Sequence, residues 1–206
     1  MKLYDVTIAP NPRRVRIFLA EKGIEVPTEQ VNMMQGEHKT PEFLARNPSG
    51  QVPVLELDDG TCIAESVAIC RYFEAVHPSP ALFGETASEQ GIVEMRNRVI
   101  ELGLLMPVGT AWVNGPIVAK MAPGRFEQIP AAKTQAEARA ERFYRRLNRE
   151  LETQQWMAPT GFSIADITAL CTIEFAAGRV ALAPDPKHEA LHRWHERMKA
   201  RPSYGA

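Results

Sequence analysis

The spacing of apolar residues in the first part of the chain alternates between strand-like and helical. Residues Lys2–Thr7 and Thr28–Met33 show the short apolar pattern that is typical of β-strands. Between them, Pro12–Lys22 carries apolar residues at helical steps, and Gly23 follows as a stop signal. A short helix is predicted at Pro41–Arg46. This alternation indicates a small domain of mixed α/β class.

A hairpin is predicted at residues 52 to 64. Two apolar runs, Val52–Leu57 and Thr61–Ala64, flank the turn sequence Asp-Asp-Gly at 58–60. Pro53 stands near the start of the first run, where a paired strand does not need its missing N–H. Directly after the hairpin, Ser66–Val76 has apolar residues at steps of three and four, which predicts a helix. The first domain is therefore expected to have the order β-α-β-α-β-β-α.

The second half of the chain shows helical patterns only. Pro and Gly residues break the periodicity after residue 77, which predicts a linker at 78–87 between domains at 1–77 and 88–206. Four helices are expected in the second domain, at Gln90–Val113, Gln135–Leu151, Ser163–Ala177 and His188–Lys199. The third of these is apolar nearly all round, as is typical of a helix buried inside a bundle.

The composition limits the classes of function. Of the 206 residues, 45% are hydrophobic, which is enough for packed cores. The 24 Lys and Arg residues nearly balance the 25 Asp and Glu residues, so no charge excess favours binding to nucleic acid or to a membrane. No apolar run is long enough to span a bilayer, and the N-terminus lacks the pattern of a signal peptide. The three cysteines are widely spaced and expected to be reduced, which indicates a cytoplasmic protein.

The junction between the hairpin and the helix after it predicts a binding site for a peptide. If the Val52–Pro53 bond is cis, as we expect, the backbone N–H and C=O of Val52 are free to pair with an extended peptide. Ser66 would lie at a helix N-terminus, where N–H groups and a hydroxyl can bind a carboxylate. Glu65 beside it can accept a hydrogen bond from an ammonium group. A short peptide with a free α-amino acid end would satisfy all three.

These elements resemble the glutathione-binding domain of the cytosolic glutathione transferases. The resemblance rests on Val52-Pro53 after the sequence NPSGQ, on the hairpin, and on Glu65-Ser66 at the start of a helix. It implies a thioredoxin-like α/β N-terminal domain followed by an all-α helical-bundle C-terminal domain. It also implies that glutathione is a substrate and that no metal or other cofactor is needed.

The resemblance implies glutathione contacts from six residues, namely His38, Gln51, Val52, Pro53, Glu65 and Ser66. The backbone of Val52 would pair with the cysteinyl part. His38 and Gln51 would meet the glycine carboxylate, whereas a loop histidine considered alone would be expected to be solvated.

Use of glutathione at neutral pH needs a hydrogen-bond donor near its sulfur, because a free thiol has a pKa of about 8.5. Members of the family usually carry Tyr, Ser or Cys at the end of the first strand, but Ala9 stands at that place in this chain. We therefore expect Asn11 to be the catalytic residue, as in similar bacterial members. Three alternatives stay open: Asn11 only caps a helix that begins at Pro12, Thr7 is the donor, or backbone N–H groups near Pro12 and Arg13 stabilise the thiolate.

The acceptor is expected to be a hydrophobic electrophile or a disulfide, bound between the two domains. Met106, Thr110 and Val113 fall on one face of the first helix of the second domain and are candidate contacts to it. By resemblance to the family, the protein is expected to be a homodimer in which the Glu65–Val76 helix and helices of the second domain meet their copies.

Three functions remain as hypotheses from the sequence. The first is a transferase that conjugates the glutathione thiolate to a hydrophobic electrophile. The second is a glutathione-dependent disulfide reductase. The third belongs to another class, a non-catalytic glutathione-binding or scaffold module, because Ala9 removes the usual donor.

Two further polar patterns are explained by folding. Ser163 and Asp166 have the spacing of a capping box before the buried helix. His188, His192 and His195 share one helix face with the spacing of metal ligands, but the charged residues around them are typical of a solvated helix. We therefore expect no metal site.

Overall fold

The protein divides into two compact units in the computed structural model, which describes residues 1–121, 124 and 126–206. The first unit comprises Met1–Leu82 and Pro202–Ala206, and the second comprises Phe83–Arg201. A mixed sheet with helices forms the first unit and helices form the described part of the second, which confirms the predicted fold class. The boundary between the units falls within the predicted linker at 78–87, and the last five residues group with the first unit and not with the second.

The first unit contains four strands and three α-helices among its described residues. In chain order they are β1 (Lys2–Asp5), α1 (Pro10–Glu21), β2 (Thr28–Gln30), α2 (Pro41–Arg46), β3 (Val54–Glu56), β4 (Cys62–Ala64) and α3 (Ser66–Val76). The strand order in the sheet is β2-β1-β3-β4, with β1 parallel to β2 and antiparallel to β3. The predicted element order is confirmed. The first two strands end earlier than predicted, at Asp5 and Gln30.

The hairpin of β3 and β4 determines which residues meet at one end of the sheet. Val54 pairs with Ala64 in an antiparallel register. The turn is closed by a hydrogen bond from the Leu57 N–H to the Thr61 carbonyl at 2.8 Å, and Gly60 supplies a φ of 84°. Because the strands run in opposite directions, residues just before Val54 and just after Ala64 lie at the same end of the sheet.

The C-terminal residues of the first unit form hydrogen bonds with α1. Arg13 donates from Nη2 to the Tyr204 carbonyl at 3.1 Å, and its guanidinium lies over the Tyr204 ring. The Ser203 hydroxyl donates to the Glu21 carboxylate. The sequence pattern did not predict this placement, because it depends on contacts between residues at opposite ends of the chain.

The described part of the second unit is helical. Its α-helices are α4 (Ala87–Ile100), α5 (Met106–Val113), α6 (Pro116–Met121), α7 (Pro130–Glu150), α8 (Ile164–Phe175) and α9 (Glu189–Lys199). A π-helical stretch, Glu101–Leu105, connects α4 to α5 without a break, so the predicted helix at Gln90–Val113 is present but is not α-helical throughout. Pro107 lacks an N–H and cannot continue the α-helical bonding pattern there. Helix α6 was not predicted, because six residues are too few to establish a periodicity.

The buried carboxylate of Asp166 fastens α8 to its neighbours. It accepts hydrogen bonds from the Ser163 N–H at 3.1 Å and from the Trp194 indole N–H at 2.9 Å. The predicted capping box is therefore confirmed. Burial raises the pKa of Asp166 to about 6, so the group is ionised at neutral pH and accepts these bonds as a carboxylate. Ser163 and Asp166 therefore have a structural role at the start of α8.

A substitution of Gly103 tests the packing of the π-helical stretch. A Cβ at this position would overlap with ring atoms of Phe143. We expect Gly103→Ala to lower the free energy of unfolding by about 1–3 kcal/mol, because one side chain must move. Gly109→Ala on α5 is the matched control, since its Cβ would meet nothing within 4 Å. Urea unfolding of both variants should show the control equal to or more stable than the wild type, and equal losses would contradict this packing.

Candidate active site

Val52 lies at one end of the sheet, directly before the first residues of β3. The Val52–Pro53 bond is cis, as predicted. The Val52 side chain packs on the core residues Tyr4, Val31, Phe43 and Val54. No residue in the described part of the chain makes a hydrogen bond to the backbone N–H or C=O of Val52. These two groups therefore have the capacity to pair with an extended peptide.

Glu65 and Ser66 form the N-terminus of α3 beside this strand end. The first backbone bond of the helix runs from Ile69 to the Glu65 carbonyl, so the N–H groups before Ile69 have no carbonyl of the helix to bind. Glu65 is exposed and has a φ of 67°, a conformation that costs a residue other than Gly about 1–3 kcal/mol. Such strain is found most often at functional sites, which supports the predicted role of this junction.

A buried arginine on α1 contacts the side chain of Ser66. Arg14 on α1 is 2% exposed, and its Nη1 donates to the Ser66 hydroxyl oxygen at 2.8 Å. Ser66 is itself only 5% exposed. Arg14 was not predicted from the sequence, because an arginine on a helix is expected to face solvent and no local pattern marks the exceptions.

His38 and Gln51 are brought together by a close backbone approach. His38 lies in a short 3₁₀ turn, Glu37–Lys39, and is 2% exposed, so the alternative of a solvated histidine was wrong. Gly50 has a φ of 60°, and a Cβ there would come within 2.7 Å of the His38 carbonyl. Only glycine fits this contact. Gln51 follows directly and has an exposed side chain, so both predicted ligands of the glycine carboxylate lie near one another.

The loop before α1 is held by a polar cluster at the end of β1. Asp5 is 1% exposed and accepts two hydrogen bonds of 2.7 Å from Arg16. Gln30 donates to Asp5 at 2.7 Å, and its amide oxygen accepts from the Thr7 hydroxyl at 2.8 Å. Since the hydroxyl proton of Thr7 is used in this contact, Thr7 is a poorer donor to sulfur than the sequence suggested.

Asn11 lies inside α1 and is not its cap. The helix begins at Pro10, and Ala9 occupies the cap position with an extended backbone. The alternative in which Asn11 only caps the helix was therefore wrong, because the chain enters the helix two residues earlier than expected. The Oδ1 atom of Asn11 is buried and has no hydrogen-bond partner within the described residues. A buried amide atom without a partner costs about 1–3 kcal/mol and calls for a functional explanation.

The candidate acceptor residues lie along α5 in the second unit. Met106 is 60% exposed, and the Thr110 hydroxyl donates to its carbonyl at 3.0 Å. Val113 is half-buried, and its carbonyl accepts from Gln128 at 3.0 Å. Their placement on one helix face follows from the spacing of four and three residues, while a role in acceptor binding stays a prediction.

The histidines of the last helix have separate partners. His192 contacts the Asp185 carbonyl at 3.0 Å, and His195 contacts the Glu174 carboxylate at 2.9 Å. Within the residues that the structure describes, no three side chains form a group suited to holding a metal ion. Among the same residues, no helix combines the length and the apolar character needed to cross a membrane.

Comparison with known families matches both parts of the chain. Residues 8–76 match the family model of the glutathione S-transferase N-terminal domain, and residues 108–202 match that of the C-terminal domain. The chain is 40% identical over 210 residues to glutathione S-transferase 2 of Saccharomyces cerevisiae, an alignment that covers 98% of this chain and 87% of the yeast protein.

Solved structures agree over the full length. The crystal structure of Gtt2 from Saccharomyces cerevisiae superposes with a TM-score of 0.89 at 40% identity, covering 100% of this chain and 99% of the yeast chain. A glutathione S-transferase domain-containing protein from Marinobacter aquaeolei VT8 also gives a TM-score of 0.89, at 38% identity, covering 99% of this chain and 100% of that chain. The predicted fold and enzyme class are thereby confirmed, and the chain belongs to the glutathione S-transferase family.

Proposed function

We propose that this transferase binds glutathione at the sheet end formed by Val52 and the N-terminus of α3. The Val52 backbone pairs with the cysteinyl residue, while Glu65 accepts from the α-ammonium group and Ser66 donates to the α-carboxylate. His38 and Gln51 bind the glycine carboxylate. The observation that carries this proposal is the Val52 backbone without a hydrogen-bond partner in the described chain, next to a strained Glu65.

Asn11 stabilises the thiolate in this proposal. Its amide group, of which the Oδ1 atom is buried, lies in the first turn of α1, where the helix dipole adds positive potential. The two amide atoms exchange places by a rotation of the side chain, so the buried position can hold the Nδ2 donor. One hydrogen bond to a charged sulfur contributes about 1.5–3 kcal/mol, and 1.36 kcal/mol lowers a pKa by one.

The reaction that follows is attack of the thiolate on an electrophile. The sulfur forms a bond to an electron-poor carbon, and the leaving group departs with its electron pair, as chloride does from an aryl chloride. No metal or further cofactor takes part, because the thiolate is itself the nucleophile. The apolar side chains of Met106 and Val113 suit a hydrophobic acceptor, with Thr110 as a polar contact.

Disulfide reduction is a second candidate function of the same bound thiolate. In this reaction the thiolate attacks one sulfur of a disulfide, forms a mixed disulfide and releases the other thiolate. Both reactions need the same activated sulfur and differ only in the acceptor. We also propose a cytoplasmic location, which is supported by the reduced state of Cys62, Cys70 and Cys171, none of which forms a disulfide.

A homodimer is a further part of the proposal. Met95 on α4 and Leu102 in the π-helical stretch are seven positions apart and are 55% and 60% exposed. Val76 at the end of α3 is 50% exposed. Exposed apolar side chains on the helices that were expected at the interface support contact with a second copy.

Substitution of Asn11 tests the thiolate hypothesis. We expect Asn11→Ala to raise the pKa of the bound glutathione thiol by about 1 to 2, because the charged sulfur loses one donor. Activity at pH 7 should fall about 10- to 100-fold and partly recover at higher pH, while glutathione affinity changes less. Ultraviolet titration of the bound thiolate measures the pKa directly.

The control for this measurement is Asn32→Ala, which removes an exposed asparagine that caps a 3₁₀ turn in the same unit. It should leave the thiol pKa unchanged. An Asn11→Ala variant with the same titration curve as the wild type would assign the role to backbone N–H groups and reject Asn11.

The competing functions are separated by a paired assay. Retention on glutathione-agarose, with elution by free glutathione, is expected for either enzyme and for a glutathione-binding module. Turnover of 1-chloro-2,4-dinitrobenzene at a rate above that of bis(2-hydroxyethyl) disulfide supports conjugation. The reverse order of rates supports the reductase, and binding without turnover of either compound supports the non-catalytic module.

The oligomeric state is expected to depend on the exposed apolar residues. Light scattering at micromolar concentration should give twice the mass of the 23.0 kDa chain. The double variant Met95→Glu/Leu102→Glu should shift the mass toward that of one chain, because buried charges disfavour association. Met121→Glu, an exposed methionine on α6, is the control. A wild type with the mass of one chain would reject the dimer.

A further inference from the structure

The start of α1 is not capped by any side chain of the described residues. Ala9 holds the cap position, and Pro10 and Pro12 in the first turn carry no N–H groups. The first backbone bond of the helix runs from the Arg13 N–H to the Ala9 carbonyl at 3.2 Å. Residues 7–9 before the helix are exposed or half-buried. Polar contacts from other elements are therefore needed to fix where the helix begins.

Thr7 receives such contacts at all three of its polar groups. Its N–H and its hydroxyl both donate to Oε1 of Gln30, at 3.0 and 2.8 Å. Its carbonyl accepts from Nη2 of Arg16 at 2.9 Å. A turn closed by a 3.0 Å bond from the Ala9 N–H to the Val6 carbonyl joins Thr7 to the start of α1. Because the three bonds come from two different elements, they define one position for this turn.

The amide of Gln30 can make these contacts in one orientation only. The Thr7 N–H can only donate, so the amide atom that faces it must be the oxygen. The Nε2 atom then donates to Oδ2 of Asp5 at 2.7 Å. Asp5 is 1% exposed and is held by Arg16, whose Nη1 donates to both of its carboxylate oxygens. Gln30 therefore connects a buried, fixed carboxylate to the exposed turn before α1.

The register of the sheet explains why Gln30 reaches this turn. Strand β2 forms an edge of the described sheet, and its three residues are exposed. Its last residue, Gln30, is the register partner of Asp5 in β1. Register partners on neighbouring strands have their side chains on the same face of the sheet. The end of β2 thus places its amide beside Asp5 and beside the chain that leaves β1 toward α1.

We propose that Gln30 is a positioning residue for the donor to the thiolate. By holding Thr7 it fixes the turn into α1, and thereby the place of the Asn11 amide relative to the sulfur of glutathione. The inference rests on the proposed function, because it assumes that Asn11 donates to the thiolate. A structural role, in which Gln30 only fastens β2 to the turn, is the alternative that the experiment must exclude.

The test replaces Gln30 by alanine and titrates the bound thiol. We expect Gln30→Ala to raise the pKa of the glutathione thiol by at least about 0.5, because a displaced donor makes a weaker hydrogen bond to the charged sulfur. kcat at pH 7 should fall about two- to tenfold, while KM for glutathione changes less than about twofold. A structural role predicts a lower midpoint of urea unfolding with an unmoved thiol pKa, and that result would overturn the inference.

The matched control is the neighbouring residue on β2. Glu29 is exposed, and its carboxylate accepts from Lys2 at 2.9 Å. Glu29→Gln should leave the thiol pKa, kcat and KM unchanged. A shift as large as that of Gln30→Ala would show that any change in β2 disturbs the site, and would contradict a specific role of Gln30.

A second variant covers a failure of Gln30→Ala to fold. Gln30→Met removes both polar ends of the amide and keeps an unbranched side chain of similar length. It should raise the thiol pKa in the same direction. A Gln30→Met protein with the titration curve of the wild type would overturn the inference, whatever the result with alanine.

A double-mutant cycle tests whether Gln30 acts through Asn11. In the Asn11→Ala background, Gln30→Ala should leave the thiol pKa almost unchanged, because the amide that it positions is gone. Additive shifts would mean that the two residues act independently. That result would reject the positioning role.

The same titrations separate this inference from the proposed function. If the wild type shows no bound thiolate, the proposed glutathione site is wrong. If Asn11→Ala raises the thiol pKa and Gln30→Ala does not, the proposed function stands and the role of Gln30 is rejected. If only Gln30→Ala raises it, the donor is not Asn11, and the inference is overturned together with that part of the proposal.

Discussion

The antiparallel pairing of Val54 with Ala64 is the constraint on which the candidate site depends. It places Val52, which precedes β3, beside Ser66, which follows β4, although they are far apart along the chain. A shift of the register by one residue would turn the Val52 side chain out of the core and move its backbone away from the α3 N-terminus. The positions of the proposed contacts from Val52, Glu65 and Ser66 follow from this pairing.

Buried polar contacts then orient the groups around that sheet end. Arg14 approaches Ser66 from α1, and the Asp5–Arg16 pair with Gln30 holds the loop that leads into α1. Each contact joins elements that the sheet alone would leave free to shift. In a low-dielectric interior, such hydrogen bonds are strong when paired and costly when broken. The candidate site therefore consists of a few groups at the sheet end that are supported by charged side chains, of which Asp5 and Arg14 are almost fully buried.

The proposed chemistry makes modest demands on the protein. Lowering the pKa of a thiol from about 8.5 to near neutrality requires about 2 kcal/mol, which one hydrogen bond to the charged sulfur supplies. An amide in the first turn of a helix can replace the hydroxyl that Ala9 lacks. In the proposed reaction the acceptor would meet side chains such as Met106, which is exposed.

The sequence by itself determined the order of elements in the first domain, the hairpin with its cis Val52–Pro53 bond, and the family. These features depend on local signals, namely periodicity, turn residues and the Glu65-Ser66 helix start. Only the tertiary structure decided that α1 begins at Pro10, that His38 is buried and that Arg14 contacts Ser66. Burial and pairing of a polar side chain depend on what another segment of the chain places against it. No pattern within one segment contains that information, so the contact of Arg14 with Ser66 could be identified only from the folded structure.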